Sequence, residues 1–276
     1  MDVRYAVHPE HGKTFDTSAL RRHFLIDDLF IPGEICLTYS HVDRIIAGSA
    51  VPLNDSLSLE AGSELGVDFF FQRREAGIIN IGGPGRVITE EQAYKLGPRD
   101  GLYLGAGTKE VRFESGSSDN PANFYINSAP AHRACPSRII TLKDAREVNL
   151  GSREESNERT IHQFVHPDVV ESCQLVMGLT LLKEGSVWNT MPAHTHDRRM
   201  EVYLYFNMEE STRVFHFIGE PSETRHIIVK NKEAVIMPSW SIHSGAGTGR
   251  YAFIWGMVGE NQTFTDMDHI AMEDLK

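Results

Sequence analysis

Apolar residues along this chain come in short runs rather than in helical stripes. The first half holds "ICLTY", "VDFFFQ", "GIINIGG", "GLYLGAG", "EVRFES", "NFYINSA" and "SRIITL", separated by Gly, Pro, Asn and Asp. The rhythm returns after residue 165 in "CQLVMGLTLL", "EVYLYF", "RVFHFIG", "HIIVK", "AVIMP" and "YAFIWGMVG". β-Branched and aromatic residues suit a pleated, half-buried surface, so each run predicts a strand. Many short strands divided by turn residues predict an all-β sandwich or barrel, not a βαβ fold. One helix is expected, in "DTSALRRHFLIDDLF". Asp16 or Thr17 caps it, Leu20, Phe24 and Leu25 supply the apolar face, and Pro32 and Gly33 stop it.

Between the two sets of strands lies "LKDAREVNLGSREESNERT", Leu142 to Thr160, polar and without aromatics. It predicts a domain junction, with domains at 1–150 and 151–276. Halves of similar length and rhythm suggest duplication. "GAGT" recurs at Gly105–Thr108 and Gly245–Thr248, but four small residues carry little weight. Histidine distinguishes the halves. None lies between His41 and His132, so the strand-rich part of the first half cannot build a histidine cluster. The first domain is expected to lack a metal site.

The second half holds "MPAHTHDRRMEVYLYF", Met191 to Phe206. With 13 histidines in 276 residues, a His-x-His triplet arises by chance roughly 0.6 times, so the pair alone proves nothing. Its neighbours add weight. Residues two apart on a strand point the same way, so His194 and His196 share a face. Glu201 follows after five positions, an odd step, and "DRRM" must contain a turn or bulge to bring it to the same wall. "AVIMPSWSIH" then delivers His243 after a strand, a proline break and a short loop. Three imidazoles and a carboxylate suit a divalent ion such as Zn²⁺, Fe²⁺, Mn²⁺ or Ni²⁺.

Composition narrows the class. The chain is 41% hydrophobic and 24% charged, with net charge −11, which disfavours nucleic acid and anionic membrane surfaces as partners. A small anionic substrate needs only a local cationic spot. No apolar run spans a bilayer, and "MDVRYAVHPEHGKTF" has no stretch of signal-peptide length. Three cysteines, Cys36, Cys135 and Cys173, form no CxxC pair and fit a reducing compartment. The expected location is cytoplasmic.

His-x-His, a Glu a few residues on, and Pro-x-x-x-x-His about forty residues later resemble the two motifs of the cupin superfamily of small β-barrels. Two departures stand out. Gly185 lies nine residues ahead of His194, farther than the motif expects, and Trp240 replaces the glycine of the second motif. A narrower resemblance covers the whole chain. "FLIDDLFIPGEICLTYSHVDRIIAGSAVP", "FQRREAGIINIGGPG", "LYLGAGTKEVRF", "FYINSAPAHR" and "MPAHTHDRRMEVYLYF" together resemble the 5-keto-4-deoxyuronate isomerases, also called 4-deoxy-L-threo-5-hexosulose-uronate ketol-isomerases. The resemblance implies two cupin-type β-barrel (jelly-roll) domains with a few short helices, and a homo-oligomer, a hexamer. It implies one Zn²⁺ per chain in the second domain, held by His194, His196, Glu201 and His243. The implied reaction converts 5-keto-4-deoxyuronate, from pectin or other polyuronide breakdown, to 3-deoxy-D-glycero-2,5-hexodiulosonate.

Other residues invite roles on the substrate side. Strand parity from Glu201 puts Tyr203 and Tyr205 on the same wall, so Glu201, Tyr203 and Tyr205 are the candidates for proton transfer. Arg198 and Arg199 are candidate clamps for a uronate carboxylate, and Trp240 a candidate pocket wall. Surface arginines in a turn and barrel-filling tyrosines are the plainer readings of the same residues. His8, His11, His23 and His269 are expected to be solvated near the ends, and His216 to be a hydrogen-bonded strand residue. His162 and His166 fit support of the site or turn chemistry around Pro167. "GGPG", Gly82 to Gly85, lacks the Lys-Ser/Thr ending of a phosphate loop and is expected to be a turn. Two rivals share the ligand pattern: a cupin dioxygenase, which needs a redox-active ion, and a non-enzymatic sugar-binding cupin, whose metal would be structural.

Overall fold

The computed structural model describes residues 1–276. Two compact units emerge: one of Met1–Arg4, Asp28–Arg146 and Gln163–Met177, the other of Tyr5–Asp27, Glu147–His162 and Gly178–Lys276. The all-β expectation is met. The first unit has a seven-stranded sheet in the order Asp2–Arg4, Ile35–Ser40, Ile46–Ala50, Phe124–Pro130, Arg74–Asn80, Gly101–Leu104, Arg138–Ile140. Its four-stranded sheet runs Leu57–Ser58, Arg112–Ser115, Gly85–Ile88, Ala93–Leu96.

The other seven-stranded sheet runs Arg146–Leu150, Arg159–Val165, Val176–Leu182, Ala252–Gly259, Arg199–Phe206, Glu233–Met237, Leu25–Ile26. Its smaller companion runs Trp188–Asn189, Ser244–Gly247, Val214–Glu220, Glu223–Val229. Taken in chain order, the inner strands of the two sets occupy matching places, as a duplicated jelly roll requires. The two "GAGT" segments do not correspond. Gly105–Thr108 follows a strand of the larger sheet, whereas Gly245 lies within a strand of the smaller one.

Register makes the comparison specific. Arg199 opens its strand opposite Gly259, and Glu201 is the first residue to pair with the next strand, at Met237. In the first unit Arg74 opens opposite Pro130, and Ala76 is the first to pair across, at Leu104. Ala76 therefore stands where the second barrel carries Glu201. Around it Ile78, Leu104, Phe113, Phe124 and Ile126 are buried in one apolar cluster. Large apolar side chains fill the first barrel, and burying them is its main source of stability.

Three details depart from the sequence reading. The helix spans only Thr17–Phe24, with the Asp16 side chain accepting from the Ala19 N–H. It ends eight residues before Pro32 because Leu25 and Ile26 are fully buried when paired as an edge strand with Val235 and Ala234. "VDFFFQ" is not a strand, since Phe70–Gln72 form a 3₁₀ turn. A strand would send Phe70 and Phe71 to opposite faces, whereas the turn buries both rings, edge to face at 5.0 Å. The polar stretch read as a junction holds a boundary between the units, at Arg146 and Glu147, but it also carries strand Arg146–Leu150 and the first residues of Arg159–Val165.

Candidate metal centre

The turn in "DRRM" exists. His194 and Thr195 form a short strand, the Arg199 N–H donates to the His196 carbonyl at 2.9 Å, and strand Arg199–Phe206 begins at once. Glu201 thereby reaches the wall that His194 and His196 face. His243 arrives from the turn after Met237, where the Ser241 N–H donates to the Pro238 carbonyl.

The donor atoms converge. His243 Nε2 lies 3.0 Å from His194 Nε2 and 3.1 Å from Glu201 Oε2, and His196 Nε2 lies 3.3 Å from the same oxygen. Ligands about 2.0–2.1 Å from a tetrahedral ion stand about 3.3 Å apart, so this spacing suits one shared cation. All four side chains are under 10% exposed. His196 Nδ1 faces the Arg199 carbonyl at 2.8 Å; donation from that nitrogen leaves Nε2 with a free lone pair for a metal.

Electrostatics favour the metal-binding protonation state at two of the three imidazoles. Burial, reinforced by neighbouring His196, pushes His194 down to about 3. Burial pushes His243 far below its ordinary value, with His194 and His196 adding to the effect. At His196 burial acts in the same direction, but the hydrogen bond and charge of Glu201 outweigh it and the net shift is upward. Neutral imidazole is the ligating form, and a bound cation would displace the proton shared between His196 and Glu201. The residues fit a divalent ion.

Beside this cluster opens a cavity of about 420 Å³. Phe253, Trp255, Met257, Phe264 and Met267 make its wall largely apolar, and Arg159, Thr190, Tyr203 and His269 supply polar groups. Few polar groups in an apolar cleft is the usual make-up of a small-molecule site. The Trp255 indole is fixed by its own N–H, which donates to Thr180 Oγ1 at 3.2 Å, and by the bare backbone of Gly178 beneath it.

The predicted residues divide clearly. Tyr203 lines the cavity, its phenol 3.0 Å from Thr190 Oγ1, and burial raises its pKa well above the ordinary value. It is therefore a neutral O–H group and not a standing base. Tyr205 is enclosed deeper, its hydroxyl 2.7 Å from Nδ1 of the fully buried His216, outside the cavity lining. The two arginines read as carboxylate clamps do not line the cavity either. Arg198 is held by Asp266 at 2.6 Å and Asp268 at 2.7 Å. Arg199 is wholly buried and donates to the Asp266 carbonyl at 2.9 Å. Trp240 is also away from it, donating its indole N–H to the Val7 carbonyl and lying over Gly12.

Two cavity residues escaped the sequence reading. Arg159 sits in the polar stretch taken for a junction; its Nη1 donates to the Asn157 carbonyl at 2.8 Å. Alternation from Arg159 to Ile161, both in the lining, was the available signal. His269 is exposed, as expected, yet it also pairs across a short ladder with His194, their rings 6.0 Å apart, and joins the cavity lining. Nothing in its surroundings along the chain marks it. His166 does serve a turn, its Nδ1 accepting from the Asp168 N–H at 3.2 Å.

Comparison with known proteins gives the family. The KduI/IolB family model matches residues 33–272. A 4-deoxy-L-threo-5-hexosulose-uronate ketol-isomerase of Yersinia pseudotuberculosis serotype O:1b (strain IP 31758) is 55% identical over 278 residues, covering 100% of both chains. One from Salmonella newport (strain SL254) is 56% identical with the same coverage. Among solved structures, an IolB-like protein from Salmonella typhimurium LT2 shares the fold with a TM-score of 0.72 at 17% identity, covering 90% of this chain and 96% of that one. An oxalate decarboxylase of Lactobacillus farciminis matches with a TM-score of 0.56 at 10% identity, covering 83% and 79%.

Proposed function

The chain belongs to the KduI/IolB family, and on that premise we propose that it is a metal-dependent ketol-isomerase. It converts 4-deoxy-L-threo-5-hexosulose uronate (5-keto-4-deoxyuronate) to 3-deoxy-D-glycero-2,5-hexodiulosonate, in the breakdown of pectin or other polyuronides. The observation that carries the metal requirement is the cluster of three buried histidines whose donor nitrogens lie within 4.8 Å of one another, with Glu201 Oε2 3.1 Å from His243 and 3.3 Å from His196, beside a substrate-sized cavity.

His194, His196, Glu201 and His243 would hold one divalent ion, zinc on this reading. Such an ion supplies Lewis acidity, stabilising negative charge that develops on the substrate's carbonyl and hydroxyl oxygens as hydrogen moves between C2 and C1. The chain's own residues do the rest. Arg159, the one arginine in the cavity lining, receives the carboxylate and fixes which end of the open-chain sugar faces the donor cluster. Tyr203 offers a neutral O–H beside Glu201, suited to hydrogen-bonding a substrate oxygen. Phe253, Trp255 and Phe264 exclude water from the chain between them. We further assign the enzyme to the cytoplasm and to a homo-oligomer, a hexamer. No helix is long and apolar enough to cross a membrane.

Proton NMR of the keto-uronate in D₂O tests the reading. Conversion should stop when a chelator strips the protein and return with Zn²⁺, with or without oxygen. A fully metallated sample that leaves the substrate untouched would overturn it, and a strict need for O₂ would favour a dioxygenase. Deuterium in the product would indicate an enediol route open to solvent, and its absence would indicate hydride transfer or a shielded proton.

A further inference from the structure

Thr190 stands in the cavity lining with a φ of 51°. A β-branched side chain in the left-handed region is strained, and such strain persists where the surroundings demand one placement of a residue. The surroundings here are hydrogen bonds. Thr190 Oγ1 lies 3.0 Å from the Tyr203 hydroxyl and 3.2 Å from Asn189 Nδ2.

Asn189 is fully buried, and its partner on the other side is the Tyr251 hydroxyl, which also lies 3.2 Å from the Gly245 carbonyl. The Tyr251 hydroxyl donates to Asn189 Oδ1 at 2.5 Å. With Oδ1 taken as acceptor, the amide presents its NH₂ to Thr190, and an NH₂ group only donates. Thr190 Oγ1 is thus the acceptor from Asn189, and its own proton is free to go to Tyr203. Once the Tyr203 oxygen accepts that proton, the phenol's own O–H has no partner in this chain of bonds, and Tyr203 is part of the cavity lining. The donors then run one way, from Tyr251 through Asn189 and Thr190 to Tyr203, and each polarises the next.

We propose that Thr190 is a positioning residue: by donating to the Tyr203 oxygen, it turns the Tyr203 O–H into the cavity to hydrogen-bond a substrate oxygen beside the four-donor cluster. This rests on the isomerase reading of the site. The opposite polarity makes the opposite prediction. Tyr203 would donate to Thr190, and its O–H would be unavailable to substrate until Thr190 was removed.

The test uses full-length metallated protein and the variants Thr190→Val, Thr190→Ser and Tyr203→Phe. Thr190→Val keeps the shape and removes the hydroxyl. It should lower kcat by roughly a hundred- to a thousandfold, the range of a lost donor to the reacting oxygen, with KM and metal content changed little. Thr190→Ser should recover most of that loss. In the Tyr203→Phe background Thr190→Val should cost little more. Wild-type or higher kcat in Thr190→Val would overturn the proposal, as would a Thr190→Ser variant no better than Thr190→Val. A second readout needs no turnover. Raman difference spectra, wild type minus Tyr203→Phe, report whether this phenol's oxygen accepts or its O–H donates. An acceptor signature that disappears in Thr190→Val supports the proposal, and a donor-only signature in the wild type sinks it. Absence of isomerase activity in wild type would undermine the proposed function without altering the Raman result.

Discussion

Arg159 offers the sharpest mutational test of how the cavity reads its substrate. Replacing it by methionine keeps the unbranched stem and removes the charge. In the structure the guanidinium spends Nη1 on the Asn157 carbonyl at 2.8 Å, forms no ion pair, and lines the cavity. Burial lowers its pKa, with nearby tyrosines opposing the shift, but an arginine stays cationic at any working pH. A hydrogen bond to a charged group contributes about 1.5–3 kcal/mol net. Loss of the carboxylate contact should therefore cut kcat/KM by about 10- to 150-fold. Initial rates would be compared for the keto-uronate and for the analogue whose carboxylate is reduced to an alcohol. The account requires Arg159→Met to cost the acid heavily and the alcohol little. Equal losses on both would refute the carboxylate assignment and reduce Arg159 to a wall residue.

Other perturbations follow from named contacts. At Gly178 an added methyl would sit 2.6 Å from the His162 carbonyl and 2.7 Å from Trp255 Cε2. Gly178→Ala should cost about 1–3 kcal/mol in thermal or urea unfolding and raise KM as the indole shifts; unchanged Trp fluorescence and KM would contradict this. Arg198→Ala releases the segment carrying Asp266 and Asp268, which also brings Phe264, Met267 and His269 to the cavity. A few-fold rise in KM with metal retained is expected, and rising salt should mimic it in the wild type; loss of metal instead would show that Arg198 supports the ligands directly. Burial holds His216 down to about 3, so between pH 6.5 and about 3 the unfolded chain binds a proton that the folded chain refuses. Stability should fall as pH drops through that window, by up to about 1.4 kcal/mol per pH unit from this group, and His216→Gln should flatten the fall in denaturation curves at pH 7, 5 and 4.

Much of this was legible from residue types and spacing. Strand rhythm marked the barrels because alternation and turn residues are local. The four donor residues were legible because strand parity, one forced turn and a proline break are local constraints as well. What the chain could not disclose depends on distant partners. Leu25 and Ile26 leave the helix only because Ala234 and Val235 are there to pair with. Arg198 and Arg199 follow the histidines closely, yet Asp266, nearly seventy residues on, decides where they point. His269 becomes a cavity residue through its pairing with His194, with no trace in its own segment, whereas Arg159 left only the alternation with Ile161.

One measurement bears most directly on the central claim: turnover of the keto-uronate as Zn²⁺ is titrated into stripped protein, with bound metal counted in parallel. Activity should climb in proportion to bound metal and level off at one ion per chain, and His243→Ala should neither bind that ion nor turn over substrate. Full activity in stripped protein, or an active His243→Ala chain without metal, would contradict the account.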